Sequence, residues 1–217
     1  MRRAGVLCIA VLGLFPAAAH ATMTFGSDLS LPADSLSSQC APISPPCTIL
    51  QYKVHNGNAF PATAPVAGLV TSFGLKAGAG ETVTFRLGRV DPQSAGSGTG
   101  DGTGPTVSVK GPGTYSFPAS LWVHAGDSVG LDFSSAASFT TQPGCYQGSH
   151  SFWYSPPLAG AGAPQPAGAN GVCEWLVNAT FEPSPRALAL KRCSHRHGKA
   201  KKARCRRKAR KLPVLPV

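Results

Sequence analysis

The sequence predicts an all-β fold, a two-sheet β-sandwich followed by a short basic helical tail. Through most of the chain, short runs rich in Val, Thr, Phe, Tyr and Trp are interrupted by Gly or Pro about every eight to twelve residues, which is typical of all-β proteins. Helical periodicity is lacking almost throughout these runs. A segment of about 164 residues with about eight such runs has the size of one two-layer sandwich around a single core.

The strands are recognised by period-two alternation of apolar and polar residues. In TVTFRLGRV, residues 82–90, the side chains of Val83, Phe85 and Leu87 share one face, as expected of a strand with one buried side. The stretches TVSVKG, TYSFPASLWVHAGDSVGLDF and CEWLVNATFEP show a similar pattern. By contrast SAGSGTGDGTGP, residues 94–105, offers almost no side chain to bury, so it is predicted to be a mobile loop between strands.

Residues 1–21 are predicted to be a signal peptide. A positive beginning, MRR, precedes a short apolar run over residues 6–15, and residues 19–21 read Ala-His-Ala, the small-x-small pattern that signal peptidase recognises. The apolar run is shorter than the roughly 20 residues that a bilayer-spanning helix needs. We therefore expect cleavage after Ala21, export of residues 22–217, an extracellular or cell-surface location and no transmembrane segment in the mature chain.

Six cysteines remain in the exported chain, and an even number in an oxidising compartment predicts disulfides. Six cysteines allow fifteen pairings. Taken in chain order, however, the first two cysteines bracket a Pro-rich segment, the next two a segment rich in Gly and Ala, and the last two a segment rich in Lys and Arg. A bridge would remove loop entropy from such a segment in the unfolded chain, typically stabilising the fold by about 2–4 kcal/mol. The distribution therefore favours three local pairs: Cys40 with Cys47, Cys145 with Cys173, and Cys193 with Cys205.

Charge divides the exported chain into two parts. Residues 22–185, the predicted sandwich domain, hold five Lys and Arg against nine Asp and Glu, whereas residues 186–217 hold thirteen Lys and Arg and no acid. The formal net charge of +11 therefore comes from the basic tail and not from the sandwich. Such asymmetry is typical of an interaction tail attached to a folded domain.

Five motifs lie within residues 25–133: FGSDLS, CTILQ, APVAGLVTSFGLKAG, VTFRLGRV and PASLWVHAGDSVGLDF. Together with the Cys-bracketed, Lys/Arg-rich C-terminal tail, they resemble a group of exported actinobacterial proteins of unknown function. The resemblance implies a secreted, antiparallel, jelly-roll-like β-sandwich. It brings no established functional residues to this chain and implies no activity.

The pattern GDSVG, residues 126–130, matches the G-x-S-x-G motif of serine hydrolases. In that motif the serine sits on a sharp turn between a strand and a helix. Here SVGLDF continues as a predicted strand, and the preceding Gly and Asp are those of an ordinary hairpin turn. The pattern is therefore predicted to be a hairpin turn that leads into a strand beginning at Ser128, and the protein is predicted not to be an enzyme. The alternative is a secreted envelope hydrolase of the esterase or glycosidase type.

Two groups of metal-ligand residue types are present, and neither predicts a metal site. One is a set of four in the tail: Cys193, His195, His197 and Cys205. Their spacing is not that of a standard structural zinc site, and an oxidising compartment favours a disulfide between the cysteines. The other is Asp101 in GTGDGTG, where no second acidic residue stands nearby to complete a calcium cage. No cofactor is predicted.

GSHSFWYSPP, residues 148–157, places aromatic side chains together between Gly and Pro. Exposed aromatic rings of sandwich proteins stack on the apolar faces of sugars, so His150, Trp153 and Tyr154 are candidate contacts for a glycan. The alternative is that these aromatic residues pack into the core.

Two further histidines have no carboxylate partner visible in the sequence. His55 lies in a predicted loop and His124 near the end of a predicted strand. Each is therefore predicted to be a hydrogen-bonding or surface histidine rather than a catalytic one.

The basic tail is predicted to fold as a helical hairpin. Ala and the long basic residues favour helix, His197 and Gly198 supply a turn, and the two helices would bring Cys193 and Cys205 together. A disordered basic arm is the alternative, because like charges at i,i+4 spacing repel each other.

Either form of the tail attracts polyanions through twelve cations: Lys191, Arg192, Arg196, Lys199, Lys201, Lys202, Arg204, Arg206, Arg207, Lys208, Arg210 and Lys211. Nucleic acid is disfavoured as a partner, because export makes it scarce and no aromatic residue lies between the cations to stack on bases. Anionic cell-wall polymers, acidic polysaccharides or anionic lipid surfaces are the expected partners. The sequence therefore predicts a secreted or cell-surface, non-enzymatic binding protein that its tail attaches to anionic envelope polymers, with a glycan or a protein as a further ligand.

Overall fold

The computed structural model describes most of the predicted sandwich and tail. It covers residues 21–32, 34–38, 40, 43–78, 80–134, 138–141, 146–160 and 162–214. The predicted signal peptide, apart from Ala21, lies outside the described residues, as does Cys145.

Within these ranges the chain forms twelve strands and two helices. The strands are β1 (Met23–Gly26), β2 (Asp34–Ser38), β3 (Cys47–Lys53), β4 (Gly68–Ala77), β5 (Glu81–Asp91), β6 (Ser97–Val109), β7 (Gly113–Val123), β8 (Ser128–Phe133), β9 (Ser138–Thr141), β10 (His150–Tyr154), β11 (Ala169–Gly171) and β12 (Val177–Pro183). The helices, α1 (Pro185–Ser194) and α2 (Lys199–Ala209), follow in the basic tail.

The strand pairs described here are all antiparallel, and they form two main sheets. The four-stranded sheet has the order β1-β12-β4-β7, the six-stranded sheet has the order β11-β10-β3-β8-β5-β6, and β2-β9 is a separate pair. Four pairs are nested along the chain: β1 with β12, β3 with β8, β4 with β7, and β5 with β6. This nesting rolls eight strands into two facing sheets, which is the jelly-roll arrangement. The predicted all-β, antiparallel, jelly-roll-like sandwich is confirmed.

Aromatic side chains from both sheets fill the space between them. Phe73 of β4 and Phe85 of β5 stack with their ring centroids 4.6 Å apart, and both side chains are fully buried. Phe85 shares its buried face with Val83 and Leu87, which confirms the predicted alternation in β5. Burying such a side chain stabilises the fold by about 1.5–3 kcal/mol, so this inner layer is the main source of stability.

A second, smaller apolar cluster covers part of the outer face of the six-stranded sheet. Its buried members are Leu50, Val90, Phe152, Tyr154 and Leu158. Leu50 follows the core residue Ile49 in β3, so the two side chains point to opposite faces. Leu158 belongs to the Gly/Pro-rich segment of residues 155–168, and its backbone N–H donates to Thr48 Oγ1 over 2.9 Å. The described residues of this segment cover that part of the outer face, so β3 and β10 are largely buried on both sides.

The Gly-rich stretch predicted to be a mobile loop is a strand. Most of it belongs to β6, which pairs with β5 along its length. A Cβ atom on Gly98 would lie 2.4 Å from Tyr154 Cζ, and one on Gly100 would lie 2.0 Å from the carbonyl oxygen of Ala159. The loop prediction is wrong, because glycine here permits close approach of the neighbouring chain rather than mobility.

The basic tail is a helical hairpin, as predicted, and it packs on the sandwich. Ser184 caps α1, because its side-chain oxygen accepts from the backbone N–H of Ala187 at 3.4 Å, and Pro185 opens the helix. The half-buried Ala187 and Leu188 pack against the core. Gly198, with φ +85°, precedes α2. We call α1, α2 and their connecting turn the hairpin.

The described residues contain two of the three predicted disulfides: Cys40–Cys47 and Cys193–Cys205. Cys173 is also disulfide-bonded, and its predicted partner, Cys145, lies outside the described residues. The bridge in the hairpin joins α1 to α2, so it holds two like-charged helices side by side.

Replacing Gly100 by Ala tests whether the Gly-rich stretch packs as a strand. The added methyl group would meet the Ala159 carbonyl, and overpacking of this kind costs about 1–3 kcal/mol. We expect the free energy of unfolding, measured by urea denaturation with tryptophan fluorescence, to fall by that amount. Gly111→Ala is the matched control, because a Cβ there has no atom within 4 Å. Equal stability of the two variants would contradict the strand.

Candidate functional site

The hairpin presents cationic surfaces on two sides of α2. Residues spaced three or four apart share one helix face, and such a set lines a shallow depression of about 540 Å³: Lys199, Lys202, Ala203, Arg206, Arg207 and Arg210. A second depression, of about 310 Å³, is lined by Arg196, Lys201, Arg204, Cys205 and Lys208. The helical period of 3.6 residues places the second set opposite the first.

These charges have no acidic partners in the described part of the chain. Of the twelve cations predicted to bind polyanions, eleven are exposed and Lys202 is half-buried. The hairpin contains no Asp or Glu, and every described ion pair lies within the sandwich. The hairpin is therefore a surface of concentrated, unneutralised positive charge.

Covalent and packing contacts offset the repulsion within the hairpin. Each pair of like charges three or four residues apart destabilises a helix by about 0.2–0.5 kcal/mol. The Cys193–Cys205 bridge opposes this, since a disulfide typically contributes about 2–4 kcal/mol. The cations in the last turn of α2 interact favourably with the helix dipole. In addition, Arg186 Nε donates to the Leu212 carbonyl over 2.8 Å, which ties the residues after α2 to the beginning of α1.

The same disulfide uses the two thiolates that a zinc site in the tail would need. His195 and His197 remain, and both are exposed in the turn between the helices. The predicted preference for a disulfide over a zinc site in the tail is confirmed by this bond.

Two of the predicted glycan contacts are buried. Trp153 is 6% exposed and Tyr154 is 0% exposed. Trp153 meets Trp175 edge to face in the core, and the Tyr154 hydroxyl donates to the Gly96 carbonyl over 2.8 Å. Neither ring offers a face to a sugar, so the structure corrects this prediction in favour of core packing. The physical reason is that Trp175, in the segment before β12, packs against Trp153 on one face of β10, and Leu158 of the Gly/Pro-rich segment packs with Tyr154 on the other.

His150, the third predicted glycan contact, is half-buried on the outer face of the six-stranded sheet. Its ring centroid lies 4.7 Å from that of Phe152 and 6.5 Å from that of Tyr52. The Nε2 atom is buried without a hydrogen-bond partner among the described residues. Burial, followed by the charge of Lys53, lowers the pKa of His150. This histidine is a packed side chain beside the second apolar cluster.

Ser128 follows a hairpin turn and begins a strand, as predicted. The Asp127 N–H donates to the His124 carbonyl over 3.2 Å, and Gly126 has φ +92°. Ser128 is fully buried, and its hydroxyl has no hydrogen-bond partner among the described residues. A strand follows in place of a helix and no histidine reaches the hydroxyl, so the geometry is not that of a nucleophile elbow.

His55 has a carboxylate partner that the sequence did not reveal. Its Nδ1 lies 2.8 Å from Glu174 Oε2, and its backbone N–H donates to the same oxygen over 2.7 Å. Glu174 is fully buried, and the ring of Tyr146 lies 5.5 Å from that of His55. Burial and the Glu174 charge raise the pKa of Tyr146. The pair joins the loop after β3 to the segment before β12, which confirms a hydrogen-bonding role for His55.

Asp101 also has a partner that the sequence did not reveal. Asp127 lies close to it, together with His124, so the expectation of no second acidic residue nearby is wrong. Arg89 Nη2 lies 3.0 Å from Asp127 Oδ1 and 3.6 Å from Asp101 Oδ2. Burial and the Asp101 carboxylate raise the pKa of Asp127 to about 6. Asp101 and Asp127 lie far apart in the chain, and only the pairing of the strands brings their carboxylates together.

Comparisons with protein-family models, curated proteins and solved structures give no match for this chain. The resemblance to exported actinobacterial proteins therefore stays a prediction. No helix in the described part of the chain is both long and apolar enough to cross a membrane. We take the hairpin as the candidate functional site, because it concentrates exposed charge that the described residues do not neutralise.

Removing the hairpin disulfide will loosen α2. In a Cys193→Ala/Cys205→Ala variant, packing alone opposes the repulsion between the helices, without the roughly 2–4 kcal/mol that a bridge contributes. We expect a weaker helical signal in far-UV circular dichroism and faster trypsin cleavage within α2, mapped by mass spectrometry. Ser194→Ala is the control, because that side chain is exposed at the end of α1. Unchanged cleavage in the double variant would mean that the bridge does not hold the hairpin.

The position of His150 makes stability depend on pH. Because burial lowers its folded-state pKa below 6.5, the unfolded chain takes up a proton at a higher pH than the folded protein does. We expect His150→Gln to become more stable relative to the wild type, in free energy of unfolding, as the pH drops below about 6.5. His195→Gln, in the exposed turn of the hairpin, is expected to leave the pH profile unchanged. An NMR titration giving a His150 pKa at or above 6.5 would contradict its burial.

Proposed function

We propose that this protein is a secreted or cell-surface, non-enzymatic binding protein that the hairpin attaches to anionic polymers of the cell envelope. The observation that carries this proposal is the cationic face of α2. Five of the six residues lining it are Lys or Arg, four of these are exposed, and no carboxylate in the described residues pairs with them.

The length of this face suits an extended ligand. The 11 residues of α2 rise about 16 Å along the helix axis, which is enough to contact several anionic groups of one polymer. Each contact is weak alone, but every neutralised charge releases counterions and adds to the affinity. A small anion would contact only one or two of the cations, so the surface adds far more to the binding affinity of a polymer than to that of a small anion.

The charge distribution supports attachment through the hairpin and not through the sandwich. The sandwich carries more acidic than basic residues, whereas the hairpin carries only basic ones. At physiological ionic strength, charges act over about 8 Å, so a polyanion at α2 interacts mainly with the hairpin. The acidic sandwich would face away from it.

Direct contacts fix the hairpin to the sandwich. The Ser184 N–H donates to the Ala67 carbonyl over 2.9 Å, and Lys191 Nζ donates to the Pro65 carbonyl over 3.5 Å. Leu188 adds an apolar contact with the core. A sandwich held in this way would keep one orientation relative to the bound polymer.

The surroundings of Ser128 favour a binding role over the alternative of an envelope hydrolase. A nucleophile has to reach its substrate and needs a base to activate it. Ser128 has no exposed surface and no histidine partner among the described residues. No catalytic role is therefore proposed for it.

The composition of the hairpin favours a wall polymer over nucleic acid or lipid. It contains no Phe, Trp or Tyr on which bases could stack. Its second helix, KAKKARCRRKA, has no large apolar residue, whereas a helix that lies in a membrane interface buries an apolar face.

Cosedimentation of the mature protein with cell-wall sacculi over a range of NaCl concentrations tests the attachment. We expect affinity to fall steeply with salt. In Lys202→Gln/Arg206→Gln the slope of log affinity against log salt is expected to flatten by roughly 1.4–1.8, since each neutralised phosphate contributes about 0.7–0.9 in nucleic acids. Lys53→Gln/Lys110→Gln is the control, because it makes the same charge change at exposed positions of the sandwich.

Three outcomes would count against the proposal. Equal weakening by both double variants would mean that net charge, and not the hairpin, determines binding. Binding that does not change with salt would exclude an electrostatic tether. Undiminished binding to sacculi stripped of their anionic polymers would point to a neutral glycan instead.

A further inference from the structure

Three side chains with metal-binding atoms converge where β6 meets the turn between β7 and β8. They are Asp101 of β6 and His124 and Asp127 of the turn, and one ligand atom from each lies within 4.8 Å of the other two. The cluster is separate from the cations of α2 and plays no part in the proposed attachment.

Asp127 is the fixed member of this cluster. It is fully buried, its Oδ2 accepts from the His124 backbone N–H at 2.7 Å, and its Oδ1 accepts from Arg89 Nη2 at 3.0 Å. An ionised carboxylate has about four acceptor positions, so each oxygen keeps capacity for a further partner. The bond to the backbone also positions the imidazole of His124, whose Nδ1 lies 3.6 Å from Asp127 Oδ2.

Asp101 contributes an oxygen without a hydrogen-bond partner. Its Oδ2 is buried and accepts no hydrogen bond from the described residues. The Nη2 atom of Arg89 is 3.6 Å away, which is beyond hydrogen-bond distance. A buried anionic oxygen beside a second carboxylate is costly unless a cation or a proton lies between them.

Arg89 supplies only part of the positive charge needed to neutralise the two carboxylates. It carries one charge against two, and its side chain is 53% exposed. It can therefore turn toward solvent when another cation takes its place beside the buried Asp127. A divalent ion in its place would balance both carboxylates.

We propose that Asp101, His124 and Asp127 form a binding site for a divalent transition-metal ion, with Zn²⁺ as the best match. Zn²⁺ binds imidazole nitrogen at about 2.0–2.1 Å and carboxylate oxygen at about 2.0–2.2 Å. Two tetrahedral ligands at these distances lie about 3.4 Å apart, close to the 3.6 Å between His124 Nδ1 and Asp127 Oδ2. Small movements of the side chains of His124, which is half-exposed, and of Asp101 would bring all three ligand atoms to bonding distance from one ion.

The donor set selects among metals. Ca²⁺ takes six to eight oxygen ligands and Mg²⁺ a regular octahedron of oxygens, whereas an imidazole with two carboxylates suits Zn²⁺ and its first-row neighbours. His124 is 52% exposed, so water has access to the remaining coordination position. A bound ion would join β6 to the turn between β7 and β8 and so stabilise that edge of the sandwich.

Thermal unfolding and isothermal titration calorimetry of the metal-free mature protein with ZnCl₂ test the site. We expect one Zn²⁺ per chain and, at a hundredfold excess over Kd, a rise in Tm of about 5–10 °C. CaCl₂ and MgCl₂ are expected to leave Tm unchanged. Titration with Co²⁺ in place of Zn²⁺ is expected to give visible absorption bands from the bound ion.

Variants assign the ligands. Asp101→Asn and His124→Gln are each expected to weaken Zn²⁺ binding at least tenfold and to remove the Co²⁺ bands. His124 is on the surface, so its variant keeps the fold and the test stays informative. His195→Gln/His197→Gln is the matched control for the exposed imidazoles of the hairpin, and it is expected to bind as the wild type does.

Three results would overturn the proposal. The first is the absence of any Zn²⁺ heat or Tm shift in the wild type. The second is wild-type Zn²⁺ affinity in Asp101→Asn, which would mean that Asp101 is not a ligand of the ion. The third is loss of binding in His195→Gln/His197→Gln, which would place the metal in the hairpin.

Discussion

Burial of β3 and β10, two strands of the six-stranded sheet, on both faces is the constraint on which the rest of the structure depends. On the inner face, Phe85 stacks against Phe73 of the opposite sheet. On the outer face, the Gly/Pro-rich segment of residues 155–168 brings Leu158 over Leu50 and Tyr154. Such close approach is possible only because β6 beside it is rich in glycine: a single Cβ on Gly100 would occupy the space of a backbone carbonyl. A glycine normally weakens a strand. Here the lack of a side chain leaves the space in which the covering segment packs.

The covered parts of the sheet leave little room for charge, and the molecule separates its charges accordingly. Arg86 is buried but paired, since its guanidinium bonds to Asp132, which also accepts from Thr48 Oγ1 over 2.5 Å. A buried charge is tolerated only with such partners. The thirteen cations of the tail have no acids near them in the sequence, so they stay on the solvent side of two short helices. There the disulfide offsets a repulsion that water and salt already screen.

Period-two alternation in the sequence predicted the strands that have side chains to alternate, such as Val83, Phe85 and Leu87 of β5. It could not find β6, because a glycine-rich strand carries no such signal. The jelly-roll order came from a resemblance and not from the residues, since strand pairing is a long-range property. For the same reason the sequence left Trp153 and Tyr154 open between a glycan contact and core packing: a covered and an open aromatic strand have the same local pattern. The helical hairpin could be predicted because its signals are local in the sequence: helix propensity, a Gly between the helices and two cysteines at a short spacing.

The two candidate sites are joined by one short stretch of backbone, residues 64–67. On one side, the Ala64 N–H donates to the Asp127 carbonyl and the Gly126 N–H donates to the Ala64 carbonyl, each over 2.8 Å. On the other side, the carbonyls of residues 65 and 67 accept from the hairpin. Coupling between sites needs an element with two states, and the structure shows one arrangement of this stretch. The link therefore acts as a spacer: it fixes the distance between the acidic cluster and the cationic helix. The proposed metal site relies on a few short, partly buried contacts, whereas the proposed attachment relies on many exposed charges. Salt is therefore expected to weaken attachment through the hairpin far more than metal binding at Asp101, His124 and Asp127.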